Sequence, residues 1–441
     1  MRTPLTIGLI VSAQQGAEGQ QYDASAAGAE VARFRLAEGG GAIRLVVAND
    51  QGLPQGSKAA VATLLGDHAS GIVYASAGPH VLAGVKAATK AGLPVLLPYQ
   101  QTTTGLPSGA WTTGPQASTA WSLIPGHLQR ADLGQIVAVT GPGAVAPLPS
   151  LKHATTVDLS ATPVGASLSD AARAAALSSA TGGASINAAV VDADASSSAW
   201  IAAGLEQAGV SEIVFGPDAT SPTFADVLTG PASGTAQGTL VSEGISASDI
   251  SSAPSVVSYL SALRLLAYQS LSAQPDVAVD MSLSCFAQSG AATADVRSND
   301  AVMALAAAAR KAGSTTPLAI RRALDGGLDA TAADGLAGPA LRFGAARTAL
   351  PADAVMVRFS ADVDPSKVSA DVRAALSDLN GNDPEAVGTA VRALLKDGIT
   401  VNYSAYSGQL DAAQFSAPGA SGSTSFGSWS QIPGASGRLI L

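Results

Sequence analysis

A single cysteine, Cys285, occurs in 441 residues, which excludes a disulfide framework and a thiolate metal cage. Between Leu283 and Phe286 it reads as a small buried hydrophobe rather than a reactive thiol. The four histidines, at 68, 80, 127 and 153, have no metal-ligand spacing, and His127 and His153 read as ordinary surface residues. No HExxH, P-loop or nucleophile elbow occurs, so no metal, no cofactor and no catalytic residue is assigned, and an enzyme is the least favoured class. Gly141-Pro-Gly-Ala-Val-Ala146 follows a strand like a dinucleotide fingerprint, but Pro142, Pro147 and Pro149 cannot open the helix that must receive a pyrophosphate. With 24 Lys and Arg against 33 Asp and Glu the net charge is −9, and no basic cluster appears, which argues against a nucleic-acid partner. No apolar run reaches the ~18 residues of a membrane span. Met1-Arg-Thr-Pro leads directly into the first strand and leaves no room for a signal peptide, so either a cytosolic protein or one whose leader has been removed is expected.

What is present is a repeating strand and helix pattern. Apolar content of 47% specifies a folded chain, and its length exceeds what one core supports, so two domains are expected. Thr6-Ile-Gly-Leu-Ile-Val11 is a short apolar run of the kind buried on both faces of a parallel sheet. The polar turn Ser12 to Gly19 follows, then a helix from Tyr22 and Asp23 through Ala27, Val31 and Phe34, stopped by Gly39-Gly40-Gly41, then a strand over Ile43 to Ala48. This βαβ unit carries its strand ends to one edge of the sheet, where ligands of such sheets bind.

The alternation continues with a helix carrying Lys58, Val61 and Leu65, a strand over Gly71 to Tyr74, a helix carrying Val81, Val85 and Ala88, and a strand over Pro94 to Leu97. After Trp111-Thr-Thr-Gly114 it restarts with Ile136 to Thr140, a helix around Ala171 to Leu177, Ala188 to Val191, a helix over Trp200 to Ala208, and Ile213 to Phe215. A strand at Thr239 to Ser242 precedes helical stretches at Val256 to Leu271 and Asp300 to Ala312, and Thr316 and Asp383 each precede a proline that opens a helix.

In this order, Tyr22 in the first turn, Asn49-Asp50-Gln-Gly52 after strand two, Gly92-Leu-Pro-Val-Leu-Leu-Pro98 at strand four and Phe215-Gly-Pro-Asp218 resemble the type I periplasmic binding proteins. Within them the likeness is strongest to the leucine/isoleucine/valine-binding receptors of ABC importers, over roughly residues 5 to 345. The resemblance implies an α/β fold of two lobes, two parallel α/β sheets joined by three crossing strands, here near 112–117, 239–245 and 354–359. It places an N-terminal lobe at 1–115 plus 246–355 and a C-terminal lobe at 116–245 plus 356–441, the latter with a C-terminal extension.

The site residues follow from the same likeness. The family holds an amino-acid carboxylate on the turns after strands three and four, which match Ala75 to His80 and Tyr99 to Thr103, where backbone N–H groups and a helix dipole favour an anion. The donor serine falls on Gly78, with Ser76 and His80 beside it, and the threonine on Gln101 or Thr102. The acid for the ligand ammonium matches Asp218, which is equally well placed to cap the next helix. The aromatic ending the second lobe's middle strand is replaced by Asp194, and a tyrosine expected after Ile136 to Thr140 is missing.

Tyr22, Ser76, Gly78, His80, Tyr99, Gln101, Thr102, Asp194 and Asp218 are therefore the candidate ligand-binding set. Asp192 and Asp194 alternatively read as solvated acids at a strand end, and if Asp194 and Asp218 share the cleft, their repulsion favours a cationic ligand. The implied function is a monomeric, non-enzymatic, extracytoplasmic receptor that closes around an amino acid or similar small polar molecule and delivers it to an ABC permease. Alternatives on the same fold are a polyamine, amide or aromatic-acid ligand, or a sensor role.

The family's closing pattern of helix, glycine stop and short strand occurs twice, at 323–343 and at 393–411, the second being extra. A Gly/Ser/Pro/Ala-rich segment with Phe426 and Trp429 follows at 417–437 and reads as a pinned loop.

Overall fold

A computed structural model describes residues 4–119, 121–122, 135–145, 147–148, 150–151, 154–180, 186–234, 239–245, 294–359 and helical positions between 254 and 266. Cys285, His127, His153, the proline-led helix start at Asp383, the second closing pattern at 393–411 and the segment 417–437 lie outside the described residues, as does most of the helix expected at 256–271.

The first sheet has the order β2-β1-β3-β4-β5, all parallel: β1 Leu5–Val11, β2 Ile43–Asn49, β3 Gly71–Tyr74, β4 Val95–Leu97 and β5 Ala110–Thr112. Strand β1 is buried at every position, as expected of a central strand covered by helices on both faces. One face carries α2 Pro54–Gly66 and α3 Val81–Lys90 over Ile10, Ile72, Tyr74 and Leu97. The other carries α1 Gly28–Glu38, an alanine-rich helix here called α7 (Val296–Ala312) and α8 (Pro317–Asp325), packed on Leu9, Val73 and Leu96. Full burial of each of these aliphatic side chains is worth about 1.5–3 kcal/mol. Residues Val296 to Ala309 of α7 are buried throughout, its alanines allowing close approach to α1.

The helix expected from Tyr22 begins six residues later. Residues 20–22 and 24–27 form two tight 3₁₀ turns, and within the Gly39-Gly40-Gly41 stop it is Gly40 that takes the left-handed conformation. On α2 the buried face is Ser57, Ala60, Val61 and Leu64, leaving Lys58 and Leu65 outward.

The second sheet has the order β13-β10-β9-β8-β6-β7, with β6 Gln135–Thr140, β7 Ala154–Asp158, β8 Ile186–Asp192, β9 Glu212–Phe215, β10 Thr239–Ile245 and β13 Val355–Phe359. All neighbours are parallel except β10 and β13. Helices α4 Ala166–Ser179, α5 Ala195–Gln207 and α6 Pro222–Thr229 cover one face. Strand β7 has no counterpart in the sequence reading: it is a half-exposed edge whose Ala-Thr-Thr-Val-Asp carries no apolar run. No helix follows Gly141 within the described residues up to Ser150, as its prolines require.

Between described elements the chain passes from one sheet to the other three times: between β5 and β6, between β10 and α7, and from the short hairpin β11 Asp329–Ala330 and β12 Leu341–Arg342 into β13. In each sheet the order reverses beside the first strand, β1 or β6, and a crevice opens at the carboxyl ends of the strands there.

Candidate functional site

Six loops converge from those carboxyl edges. From the first sheet come residues 12–19 after β1, 75–80 after β3 and 98–104 after β4; from the second come 141–145 after β6, 193–194 after β8 and 216–218 after β9. Together they enclose a cavity of about 720 Å³.

Of the nine candidate residues, Gly78, Tyr99, Gln101, Thr102, Asp194 and Asp218 line this cavity. The Nε2 of Gln101 donates to Oδ1 of Asp218 at 2.5 Å, which ties the two sheets together across the cleft. A second contact joins them where the Thr223 hydroxyl donates to the Gln21 carbonyl at 3.4 Å. Asp218 is only 4% exposed, and burial pushes its carboxyl up to about 7 against the opposing pull of the Arg297 charge.

Tyr22, Ser76 and His80 are buried behind the wall rather than in it. Tyr22 stacks on Tyr99 at 4.2 Å between ring centroids, and Tyr99 is the ring that faces the cavity. The Arg297 guanidinium lies 4.5 Å from the Tyr99 centroid and 5.8 Å from that of Tyr22. Asp295 accepts from Arg297 Nε at 2.8 Å, with Nη2 at 2.7 Å, so the cation under the aromatic floor is neutralised in place.

Ser76 and His80 belong to a buried polar network centred on Asp50. His80 Nε2 lies 3.0 Å from Asp50 Oδ2, and Nδ1 lies 3.2 Å from Glu18 Oε2. Ser12 donates to Asp50 at 2.6 Å and Tyr74 donates to it at 2.8 Å, while Ser76 Oγ is 3.2 Å from His80 Nε2. Burial opposes ionisation of both Asp50 and His80, but their mutual bonds prevail. The Asp50 carboxyl stays below its usual range, and His80 is raised to about 9 by Asp50 and Glu18.

His80 is thus an imidazolium clamped between two carboxylates. A serine on one ring nitrogen and a glutamate on the other is the hydrogen-bond order of a nucleophile, base and acid. Here, however, Asp50 shares the serine's nitrogen and Ser76 is fully buried, so no substrate reaches its hydroxyl in this arrangement.

Of the two acids read as solvated, Asp192 is buried, whereas Asp194 is partly exposed and lines the cavity. Asp192 accepts from the Val145 N–H at 3.2 Å, holding the 141–145 loop against the cleft. Asp194 is the N-cap of α5 and accepts from the Ser197 N–H at 2.8 Å, with burial raising its pKa. Asp192 at the end of β8 and Asp194 two residues on are each met by a backbone N–H.

The sequence reading omitted Glu18, which enters the wall from the polar turn after β1. The turn at Asn49 to Gly52 sets this loop: Gly52 has φ +66°, and a Cβ there would lie 2.5 Å from the Glu18 backbone nitrogen. Asn49 Oδ1 accepts from the N–H groups of Ala13 and Gln51, which pins the loop from the other side. Among the described residues no group of three or more His, Cys, Asp or Glu side chains could hold a metal ion, and no helix is long and apolar enough to cross a membrane.

Solved structures share this architecture. The branched-chain amino-acid transporter substrate-binding protein LivJ of Streptococcus pneumoniae, in complex with isoleucine, superposes with a TM-score of 0.62 at 18% identity, covering 82% of this chain and 96% of that one. The fold is the type I periplasmic-binding fold. The leucine-binding protein LivK of Thermotoga maritima shares it at a TM-score of 0.54 and 15% identity, covering 82% of this chain and 100% of that one. An ABC transporter substrate-binding protein of Desulfitobacterium hafniense, in complex with leucine, does so at 0.55 and 15%, covering 82% and 98%. No family model matches the sequence. No curated protein matches it either. At these identities the likeness establishes the periplasmic-binding fold, with its cleft between two lobes, and carries no ligand over to this chain.

Proposed function

We propose that the chain is a non-enzymatic solute receptor of an ABC importer that takes a small polar molecule bearing an amino group into the cleft and closes over it. The observation that carries this reading is the cavity built from both sheets' carboxyl edges and bridged by Gln101 and Asp218. Gly78, Tyr99, Gln101, Thr102, Asp194 and Asp218 form the proposed contact surface, with Asp218 receiving the ammonium. Tyr22, Ser76 and His80 support that surface from behind.

Closure is stabilised by contacts that exist only when the lobes meet, and a permease reads the resulting shift in population. In this reading the receptor works outside the cytoplasmic membrane as a monomer. The LivJ- and LivK-type neighbours support the transport role, since those proteins serve branched-chain amino-acid transport or bind leucine.

The test is a thermal-shift screen of the purified chain against the twenty amino acids, amines, small amides and aromatic acids. A raised midpoint with any one of them, lost in Asp218→Ala, supports the reading. No shift with any compound rejects it.

A further inference from the structure

We propose that the cleft selects a small organic amine without a free carboxylate, such as a diamine or a guanidino-alkylamine, and that Glu18 is the residue that excludes the carboxylate. The inference rests on the receptor reading and names the class of molecule carried.

The second lobe supplies the first observation. Asp218 faces the cavity while almost wholly buried; its Oδ1 accepts from Gln101, and its Oδ2 has no hydrogen-bond partner among the described residues. A desolvated carboxylate with an open oxygen is costly until a donor reaches it, and an ammonium or guanidinium group is the strongest donor a ligand can bring.

The first lobe supplies the second. The Glu18 side chain lies over Gly78, so close that a Cβ at Gly78 would come within 2.4 Å of Glu18 Oε1. This is the turn that leads into α3, where exposed N–H groups favour an anion. Glu18 thus sets a carboxylate of the chain's own beside that position. His80 holds the Glu18 carboxylate there from beneath, and the fully buried Asp50 holds His80 in turn. The Gly78 N–H is itself engaged by Gln100 Oε1 at 3.3 Å.

Charge balance supplies the third. Glu18, Asp194 and Asp218 all line the cavity, whereas none of the described lining residues is Lys, Arg or His. Arg297 lies under the Tyr99 ring with Asp295 as its partner. A ligand carboxylate entering this cleft meets like charge on both walls and no side-chain cation. An amine at each end meets an acid from each lobe.

Calorimetric titration of the full chain with matched pairs tests this: cadaverine against lysine, putrescine against ornithine, agmatine against arginine. The amine of at least one pair should bind tighter than its amino acid by about tenfold or more, the weight of one charge-assisted contact. Glu18→Gln should reduce that ratio to about threefold or less, and Asp218→Asn should weaken the amine about tenfold or more, as loss of a charged hydrogen bond does.

Equal or tighter binding of the amino acid in every pair overturns the proposal, as does a ratio unchanged by Glu18→Gln in a variant with wild-type circular dichroism. Binding of leucine or isoleucine in place of the amines overturns it and leaves the receptor reading standing. Failure of every amine, amino acid, amide and aromatic acid to bind removes both.

Discussion

Gln101 and Asp218 come from different sheets, 117 positions apart, and the Gln101 amide donates to the Asp218 carboxylate at 2.5 Å inside the cleft. The bond spans the cleft, so in the proposed receptor cycle it favours the closed arrangement with or without a ligand. Gln101→Ala removes it, and the closed state should lose about 1.5–3 kcal/mol, the range for a hydrogen bond to a charged group. Small-angle scattering of the unliganded variant should report a larger radius of gyration than the wild type. An unchanged radius contradicts the role given to this pair.

Asp218→Ala is expected to weaken an amino-bearing ligand by about 1.5–3 kcal/mol, because it deletes the acceptor of a charge-assisted bond. Titration calorimetry reads this directly. Unchanged affinity would take Asp218 out of the site.

The pH dependence has a definite sign. Burial lifts the carboxyls of Asp218 and Asp300 to about 7 in the native state. The unfolded chain releases those protons near the ordinary carboxylate value of about 4, so between about pH 4 and 7 the native state holds more protons and its stability falls as pH rises. His80, raised to about 9 by Asp50 and Glu18 despite its burial, continues the trend: its contribution is complete below about 6.5 and is lost as pH rises through 9. The melting midpoint of the unliganded protein should decline from pH 5 to pH 9.5, and His80→Gln should remove the part of the decline above pH 7. A midpoint that climbs over this range contradicts the assignment. Affinity for an amine should move the opposite way between pH 5.5 and 8, because the ammonium is drawn to the ionised form of Asp218.

Arg297→Ala leaves Asp295 buried without its guanidinium partner and strips the cation from beneath Tyr99. The expected cost is about 3–5 kcal/mol in urea unfolding, the range for breaking one side of a buried ion pair. The double variant Arg297→Met/Asp295→Leu should recover much of that loss. A single variant within about 1 kcal/mol of wild type would mean that the pair is solvated in solution.

The order of the strands was legible because β1, β3, β4, β8 and β9 are short apolar runs set between glycines and helical periods. The loops at their ends could then be placed at the sheet edge, and the family resemblance named Gln101, Thr102 and Asp218 on them, residues that line the cavity. What stayed hidden was the depth of each side chain. Tyr22 and Tyr99 are equally plausible as a ligand wall on paper, but their stacking puts one behind the other. Asp194 caps α5, and in the fold that cap lines the cavity. Glu18 lay in a stretch with no periodicity, and its partner His80 is 62 residues away, so nothing local marked the pair. Strand β7 escaped because an exposed edge strand needs no apolar run.

The most direct measurement is the melting midpoint of the wild type and of Asp218→Ala across a ligand panel that includes diamines, guanidino-alkylamines and the twenty amino acids. A ligand present at a hundredfold its Kd adds about 2.7 kcal/mol to the native state. The receptor account predicts that at least one amino-bearing compound raises the wild-type midpoint and leaves that of Asp218→Ala unmoved; a panel that shifts neither protein, or shifts both alike, contradicts it.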